Sequence, residues 1–262
     1  MDMASISAKV LAAIGSILVL CLWNVAPAWA HSPDLPFAPG EKLYYQLRWE
    51  NIPAGEALLE VQRIQKIGGS PAYHFVMIAK SNAFVDIFYK IRDRVDAYAD
   101  TRMTRSVYYK NKQSEGDHKR DEVIEFDWVK NQASYANAGV QNAAIDLLPG
   151  SFDPLSAFYY TRMTLADPHQ TLERPVTDGK KNVIGRARIV KRETITLKNG
   201  KTFDTFCIEP EIKHIGGVFK KSKNAKIRIW VTADDKRIPV QIKSKVAIGH
   251  FIGELVSAEG VH

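Results

Sequence analysis

The sequence is poor in cysteine and has no long apolar segment beyond its first thirty residues. Only Cys21 and Cys207 occur among its 262 residues, which excludes a small protein held together by disulfides. It has no Gly-x-Ser-x-Gly elbow, no His-Glu-x-x-His pair, no Cys-x-x-Cys pair and no glycine-rich phosphate loop. Hydrophobic residues make up 45% of the chain and charged residues 25%. This composition is typical of a folded globular protein and excludes a wholly disordered chain or a collagen-like fibre.

The first thirty residues have the features of a secretory signal peptide. Lys9 precedes an apolar run over residues 10–23, and Ala28 and Ala30 form the Ala-x-Ala pattern of a cleavage site. We interpret residues 1–30 as a signal cleaved before His31, which predicts a periplasmic protein. An uncleaved membrane anchor is the alternative. No transmembrane span is expected in the mature chain.

Cleavage would leave Cys207 as the sole cysteine of the exported chain, so an intramolecular disulfide is excluded. The residue lies in an apolar stretch, 205–208, with the pattern of a strand. We therefore expect a buried, unreactive thiol, because the neighbouring sequence supplies no histidine to activate it.

Many short segments with period-two alternation, separated by dense turn signals, indicate an all-β protein. Between two such segments, Asn199-Gly200 predicts a hairpin with a type I′ turn. A second, polar hairpin turn is expected just after Glu115-Gly116. We predict a large antiparallel meander that forms a curved sheet, a sandwich or an open barrel, with residues 31–262 as a single β-rich domain.

One or two short helices are expected within this meander, at about 81–89 and 153–164. The second has the stronger signals, because Asp153 is a good N-cap and Pro154 suits the first helical turn. The residues that follow at helical spacing are Leu155, Phe158, Tyr159 and Arg162.

Positive charge is concentrated in the C-terminal part of the chain. Residues 31–171 carry 16 Lys and Arg against 18 Asp and Glu, a net charge of −2, whereas 172–262 carry 19 against 10, a net charge of +9. This asymmetry predicts contact with anionic envelope material. The alternative is a solvated, charged hairpin that blunts a sheet edge. The candidate contacts for an anionic partner are Lys220, Lys221, Lys223 and Lys226.

Large apolar side chains on the predicted strands offer a second candidate site. A curved sheet can enclose an apolar ligand. The side chains that would line an apolar cleft, or else fill a core, are Phe126, Trp128, Ile229 and Val240.

No catalytic, cofactor-binding or metal-binding residue is assigned, and no cofactor is expected. The seven histidines of the exported chain are scattered. Asp93, Asp96 and Asp234 are the carboxylates that would have to converge in space for acid–base chemistry. Salt bridges explain the first two more simply, and a turn explains Asp234. Arg237 is expected to form a local salt bridge, and binding to nucleic acid is excluded by compartment and charge pattern.

Several segments form an ordered set of motifs along almost the whole exported chain. They are Phe37-x-Pro39-Gly40-Glu41-x-Leu43-x-Tyr45, Trp49-x-x-Ile52-x-Ala54-Gly55, Asp153-Pro154-Leu155-Ser156-Ala157-Phe158-Tyr159-Tyr160-x-Arg162, Thr177-Asp178-Gly179-Lys180, Ile229-Trp230-Val231-Thr232-x-Asp234-x-x-Arg237-x-Pro239-Val240 and Gly249-x-Phe251-x-Gly253-Glu254-Leu255. The set resembles the bacterial exported family known as domain of unknown function 3108. This resemblance implies a periplasmic, β-rich protein and brings no activity or catalytic residue with it.

Together these observations predict a non-catalytic periplasmic protein that binds an anionic or amphipathic envelope component or maintains the envelope. The candidate partners are a lipid, a glycan or an acidic envelope protein. The alternative is a hydrolase acting on an envelope glycan or another polymer, which would need carboxylates with perturbed pKa values in a cleft.

Overall fold

The computed structural model describes residues 35–165, 167–168, 170–211, 225–246 and 249–261, and the predicted signal peptide lies outside them. Fifteen strands and two short helices form within these ranges. The strands are β1 (Lys42–Trp49), β2 (Ile52–Ile67), β3 (Ser70–Ser81), β4 (Arg92–Asp100), β5 (Ser106–Glu115), β6 (His118–Asp127), β7 (Gln132–Asn137), β8 (Val140–Gln141), β9 (Ile145–Asp146), β10 (Thr171–Thr177), β11 (Asn182–Thr196), β12 (Thr202–Pro210), β13 (Lys226–Thr232), β14 (Pro239–Val246) and β15 (Gly249–Glu259); the helices are α1 (Ala83–Asp86) and α2 (Pro154–Thr164).

All these strands belong to one antiparallel sheet. Their order is β10-β11-β12-β13-β14-β15-β1-β2-β3-β4-β5-β6-β7-β8, and β9 pairs with β7. Most neighbours in space are therefore neighbours in sequence, as in a meander, but the sheet joins its two halves where β15 pairs with β1. The all-β prediction is confirmed. Of the three predicted forms, the chain adopts the open curved sheet, which is not closed into a barrel.

Period-two alternation sends one side of each strand into the main core. On β4, Val95, Ala97 and Ala99 are buried while the residues between them are partly exposed. Helix α2 packs on this side, where the ring of Tyr159 stacks on that of Phe75 with their centroids 4.0 Å apart. The helix thus covers the apolar side of the sheet.

Both helices begin at a side-chain cap. The Asp153 carboxylate accepts hydrogen bonds from the backbone N–H groups of Leu155 and Ser156, each at 2.9 Å, and α2 starts where predicted. Asn82 caps α1 by accepting from the N–H of Val85 at 2.9 Å. The prediction for this first helix was too long, because only four residues are helical and the chain then turns back into β4.

The two predicted hairpins form, but one turn differs from the prediction. Gly116 and Asp117 connect β5 to β6, as expected from the sequence. The β11–β12 turn was predicted as type I′, which needs positive φ at both Asn199 and Gly200. Only Gly200 has a positive φ, of 82°, and its N–H bonds to the carbonyl of Leu197. The loop is therefore a longer one, in which a single glycine supplies the left-handed residue.

Candidate functional site

A groove of about 560 Å³ crosses β15, β1, β2 and β3. Tyr44 lies opposite Leu58, and Leu58 lies opposite Ile78, so these three side chains form one apolar stripe across neighbouring strands. They alternate with the residues that face α2, so the groove lies on the other side of the sheet. The residues that line it are Tyr44, Tyr45, Gln46, Glu56, Ala57, Leu58, Ile78, Lys80 and Val256.

One end of the groove is charged. Glu56 lies directly opposite Lys80 and forms an ion pair with it. Both side chains are more than half exposed, so the pair contributes little to stability. The lysine is thus available to an incoming anion at small energetic cost.

Beyond this charged pair, β2 and β3 approach each other unusually closely. Gly55 lies opposite Ser81, and a Cβ atom on Gly55 would lie 2.1 Å from the carbonyl oxygen of Lys80. Only glycine fits here without moving the backbone.

The apolar residues predicted to line a cleft or fill a core pack into two apolar clusters, and none of them lines the groove. Val240 is fully buried, and Phe126 and Trp128 pack partly buried against the same main core. The indole of Trp128 donates a 2.7 Å hydrogen bond to the carbonyl of Ser106. Ile229 packs against a second, smaller cluster that includes Leu165.

Of the four lysines proposed to contact an anionic partner, Lys220, Lys221 and Lys223 lie outside the described residues. Lys226 lies on β13 and forms a 2.8 Å ion pair with Glu209. Burial alone would raise the pKa of Glu209, but hydrogen bonds from Lys226 and Arg228 outweigh it and lower the pKa. Lys226 is therefore already engaged by a carboxylate of the neighbouring strand.

Asp96 belongs to a closed polar network. It accepts two 2.7 Å hydrogen bonds from Arg94 and one of 2.8 Å from Nε2 of His74, whose Nδ1 accepts from the Gln65 amide at 3.1 Å. Burial alone would raise the pKa of Asp96, but these bonds outweigh it and lower the pKa to about 2. With both ring nitrogens engaged, His74 has no lone pair left for a general base.

The other candidate carboxylates lie elsewhere. Asp93 accepts the backbone N–H of Ser114 at 3.0 Å, and burial together with Asp93 raises the pKa of the neighbouring Glu115. Asp234 holds the β13–β14 turn by accepting the N–H groups of Lys236 and Arg237. The three aspartates are thus held in separate local contacts. Among the described residues, no group of three His, Cys, Asp or Glu side chains is arranged to hold a metal ion.

Cys207 is buried and free of a disulfide, as expected. Burial raises the pKa of its thiol to about 11. The thiol therefore stays protonated at neutral pH and is not an activated nucleophile.

A buried ion pair that sequence reasoning missed ties three of the family-like motifs together. Arg162 of α2 binds the Glu41 carboxylate through two hydrogen bonds, of 2.7 and 3.1 Å, and both side chains are 1% exposed. Its remaining N–H groups donate to the backbone carbonyls of Pro36, Lys236 and Arg237, all at 3.1 Å. The pair thus joins the segment before β1, the end of α2 and the β13–β14 turn.

Arg237 does not form the local salt bridge that was expected. Its guanidinium instead donates to the backbone carbonyls of Arg162 and Met163, at 3.1 and 3.0 Å. These carbonyls belong to the last turn of α2, where a helix leaves acceptors without intrahelical partners. The arginine therefore caps the helix from a turn that lies far away in sequence.

Comparison with known proteins gives a family and a fold. The sequence profile of the family described as "Protein of unknown function (DUF3108)" matches residues 44–256. No curated protein matches the sequence. The β-barrel-like protein of domain of unknown function DUF1849 from Brucella abortus superposes with a TM-score of 0.53 at 9% identity, over 84% of this chain and 97% of that one. A candidate lipoprotein from Parabacteroides distasonis gives a TM-score of 0.33 at 11% identity, over 86% and 97%.

Proposed function

The chain belongs to the DUF3108 family, and we propose that it is a non-catalytic periplasmic protein that binds an anionic, amphipathic envelope component. The proposal rests on the groove across β15, β1, β2 and β3. Its walls are mostly apolar, one end is charged, and its volume of about 560 Å³ is within the range of small-molecule sites, about 300–1,000 Å³.

The groove suits a molecule with an acyl chain and a negative head group. The stripe of Tyr44, Leu58 and Ile78 offers a continuous apolar surface to a chain. Lys80 at the charged end offers a cation to the head group, and Glu56 would then release it. Burial of a chain against such a stripe contributes about 0.8 kcal/mol per methylene group.

A periplasmic location is supported by the signal-like residues 1–30, and the described part of the chain contains no helix long and apolar enough to cross a membrane. The absence of catalysis is supported by the separation of the candidate carboxylates. Asp93, Asp96 and Asp234 each serve a local contact and none lines the groove.

Binding of a fluorescent long-chain fatty acid tests the proposal directly. We expect saturable binding by the wild-type protein, weakened about tenfold or more by Ile78→Trp, which fills the groove. Val140→Trp, on β8 outside the groove, is the matched control and should bind normally. Lys80→Gln should weaken binding of the acid but not of the corresponding alcohol, because only the acid carries a charge.

Absence of saturable binding, or equal affinities for Ile78→Trp and Val140→Trp, would contradict the proposal. Native mass spectrometry of protein purified from its own envelope gives an independent readout. An adduct with the mass of an acidic lipid that Ile78→Trp removes supports the proposal.

A hydrolase acting on an envelope glycan is the second candidate, favoured only by Asp93 beside Glu115. Burial and Asp93 raise the pKa of Glu115, and a carboxyl group with a raised pKa beside a second carboxyl group is a known arrangement for acid–base catalysis. Release of soluble fragments from purified peptidoglycan, abolished by Glu115→Gln and kept by Glu125→Gln, would establish it.

A further inference from the structure

Six large apolar side chains are exposed at one end of the sheet. Phe88 and Ile87 are the most exposed, at 75% and 74%. We call this set the apolar rim; its members are Trp49, Ile52, Phe84, Ile87, Phe88 and Phe251.

Three strands and the segment around α1 contribute side chains to the rim. Trp49 of β1 lies directly opposite Ile52 of β2 and Phe251 of β15. Asn82, immediately before α1, holds the helix against the start of β2 by donating to the carbonyls of Pro53 and Ala54, at 2.7 and 2.9 Å. Phe84 of α1 and Phe88, two residues after its last residue, therefore lie at the same end of the sheet.

The fold does not require the apolar character of α1. None of its residues is buried, and the rings of Phe84 and Phe88 contact each other edge to face, with centroids 5.8 Å apart. A group of exposed apolar side chains at one end of a sheet marks an interaction surface more often than a structural need.

Positively charged side chains predominate around the rim. Lys198 reaches the β1–β2 turn, where its Nζ contacts Oδ1 of Asn51 at 3.2 Å. Lys243 and Lys245 flank Ser244, the cross-strand partner of Phe251, so they lie at this end of the sheet with their side chains on its other face. Lys90 follows the rim on the α1 side and is exposed.

The acidic side chains at this end are already paired. Glu50 binds His250 at 2.9 Å, and Asp86 binds Arg92 at 2.6 Å. The charges of Lys243 and Lys90 also help to lower the pKa values of Glu50 and Asp86. The lysines around the rim nevertheless outnumber these two carboxylates, so the surface is complementary to an anionic partner.

We propose that the apolar rim and its lysines dock the protein on an anionic lipid bilayer. The aromatic and aliphatic side chains would enter the boundary between head groups and acyl chains, and the lysines would contact the anionic head groups. This combination of apolar side chains and surrounding lysines favours a lipid surface over a purely acidic or a purely apolar partner. The rim residues do not line the groove, so the proposal can fail while ligand binding in the groove holds.

Co-sedimentation of the exported protein with vesicles tests the docking. We expect binding to vesicles of phosphatidylethanolamine and phosphatidylglycerol, and little binding to neutral phosphatidylcholine. Phe84→Ser combined with Phe88→Ser should weaken partitioning at least about tenfold. The matched control is Val129→Ser combined with Val140→Ser, which removes two exposed apolar side chains elsewhere and should leave binding unchanged.

A charge series tests the second half of the proposal. Lys243→Gln and Lys245→Gln should each weaken binding about fivefold at low salt, and the effect should shrink as salt is added. Lys110→Gln and Lys130→Gln, on other parts of the surface, are the controls. Ile78→Trp in the groove should bind vesicles as the wild type does, which separates this proposal from that of fatty-acid binding.

Three outcomes would overturn the proposal. The first is no preference for anionic vesicles, and the second is equal binding by the rim variant and its Val129, Val140 control. The third is a concentration-dependent dimer that Phe84→Ser with Phe88→Ser abolishes, without vesicle binding, which would assign the rim to a second copy of the chain.

Discussion

The two helices are used in opposite ways. Helix α2 is covered by the sheet, and even its Arg162 is 1% exposed and fully hydrogen-bonded. Helix α1 buries none of its residues, and the side chains of Phe84 within it and Phe88 just after it are exposed. Both begin at a good Asx cap, so capping determines where each helix starts but not what it contributes. We therefore expect α2 to stabilise the fold and α1 to be available for the proposed contact with a membrane.

The largest effect is expected at Arg162. Arg162→Met leaves the Glu41 carboxylate buried without a partner and should lower the free energy of unfolding by about 3–5 kcal/mol. Arg186→Met is the control, because Arg186 is 49% exposed and its pairing with Glu173 is worth less than about 1 kcal/mol. Urea unfolding followed by circular dichroism measures both. Equal effects of the two substitutions would contradict the prediction that burial makes the ion pair of Arg162 and Glu41 important for stability.

Removing the cap residue should likewise cost more stability at α2 than at α1. Asp153→Ala removes the acceptor for two backbone N–H groups and for the Ser106 hydroxyl in a buried site, and should cost about 2 kcal/mol. Asn82→Ala, at the exposed α1, should cost about 1 kcal/mol or less. Asp153→Asn keeps an acceptor and should recover part of the loss. A larger cost at Asn82 than at Asp153 would contradict this ranking.

The pH dependence of stability should also differ between Asp86 of α1 and Asp153, the cap of α2. Hydrogen bonds from Arg92 and Ser81 lower the pKa of Asp86 to about 2. Its contribution to stability is therefore present above its unfolded pKa of about 4 and is lost as the pH falls through about 2. Burial raises the pKa of Asp153, so ionisation opposes folding there and the linkage has the opposite sign.

The carboxyl carbon shifts of both aspartates, followed by NMR as the pH is lowered, measure these midpoints. We expect the midpoint of Asp153 above the ordinary value and that of Asp86 below it. An ordinary midpoint for Asp86 would mean that Arg92 does not hold it in solution.

The smallest effect is expected at the rim. Phe84→Ser combined with Phe88→Ser should change the free energy of unfolding by about 0.5 kcal/mol or less, since both side chains are already exposed to water. Leu155→Ala in α2 provides the comparison and should cost about 2–5 kcal/mol. A cost above about 1 kcal/mol for the rim variant would show that α1 supports the fold after all.

Local signals predicted the strands and α2 well, because alternation and capping depend on residues close in sequence. Asp153-Pro154 located α2, and Glu115-Gly116 located a hairpin turn. The turn at Asn199 was misassigned because a second left-handed residue cannot be read from Asn-Gly alone.

The candidate site was harder to foresee. Tyr44, Leu58 and Ile78 become neighbours only through strand register, and Arg162 meets Glu41 across 121 positions of sequence. Alternation identifies Phe126 and Trp128 as apolar positions, but it does not distinguish a core position from the wall of a groove.

The pairing of β15 with β1 has a consequence for how the chain assembles. Trp49 meets Phe251 across about two hundred positions, whereas almost every other strand pair is closed by a short turn. The strands within each half of the meander can therefore pair through local contacts. The pairing of β15 with β1 has the largest entropic cost of loop closure. Because β15 and β1 lie in the middle of the sheet, the edges of both strands stay unpaired and exposed until β15, the last strand of the chain, pairs with β1.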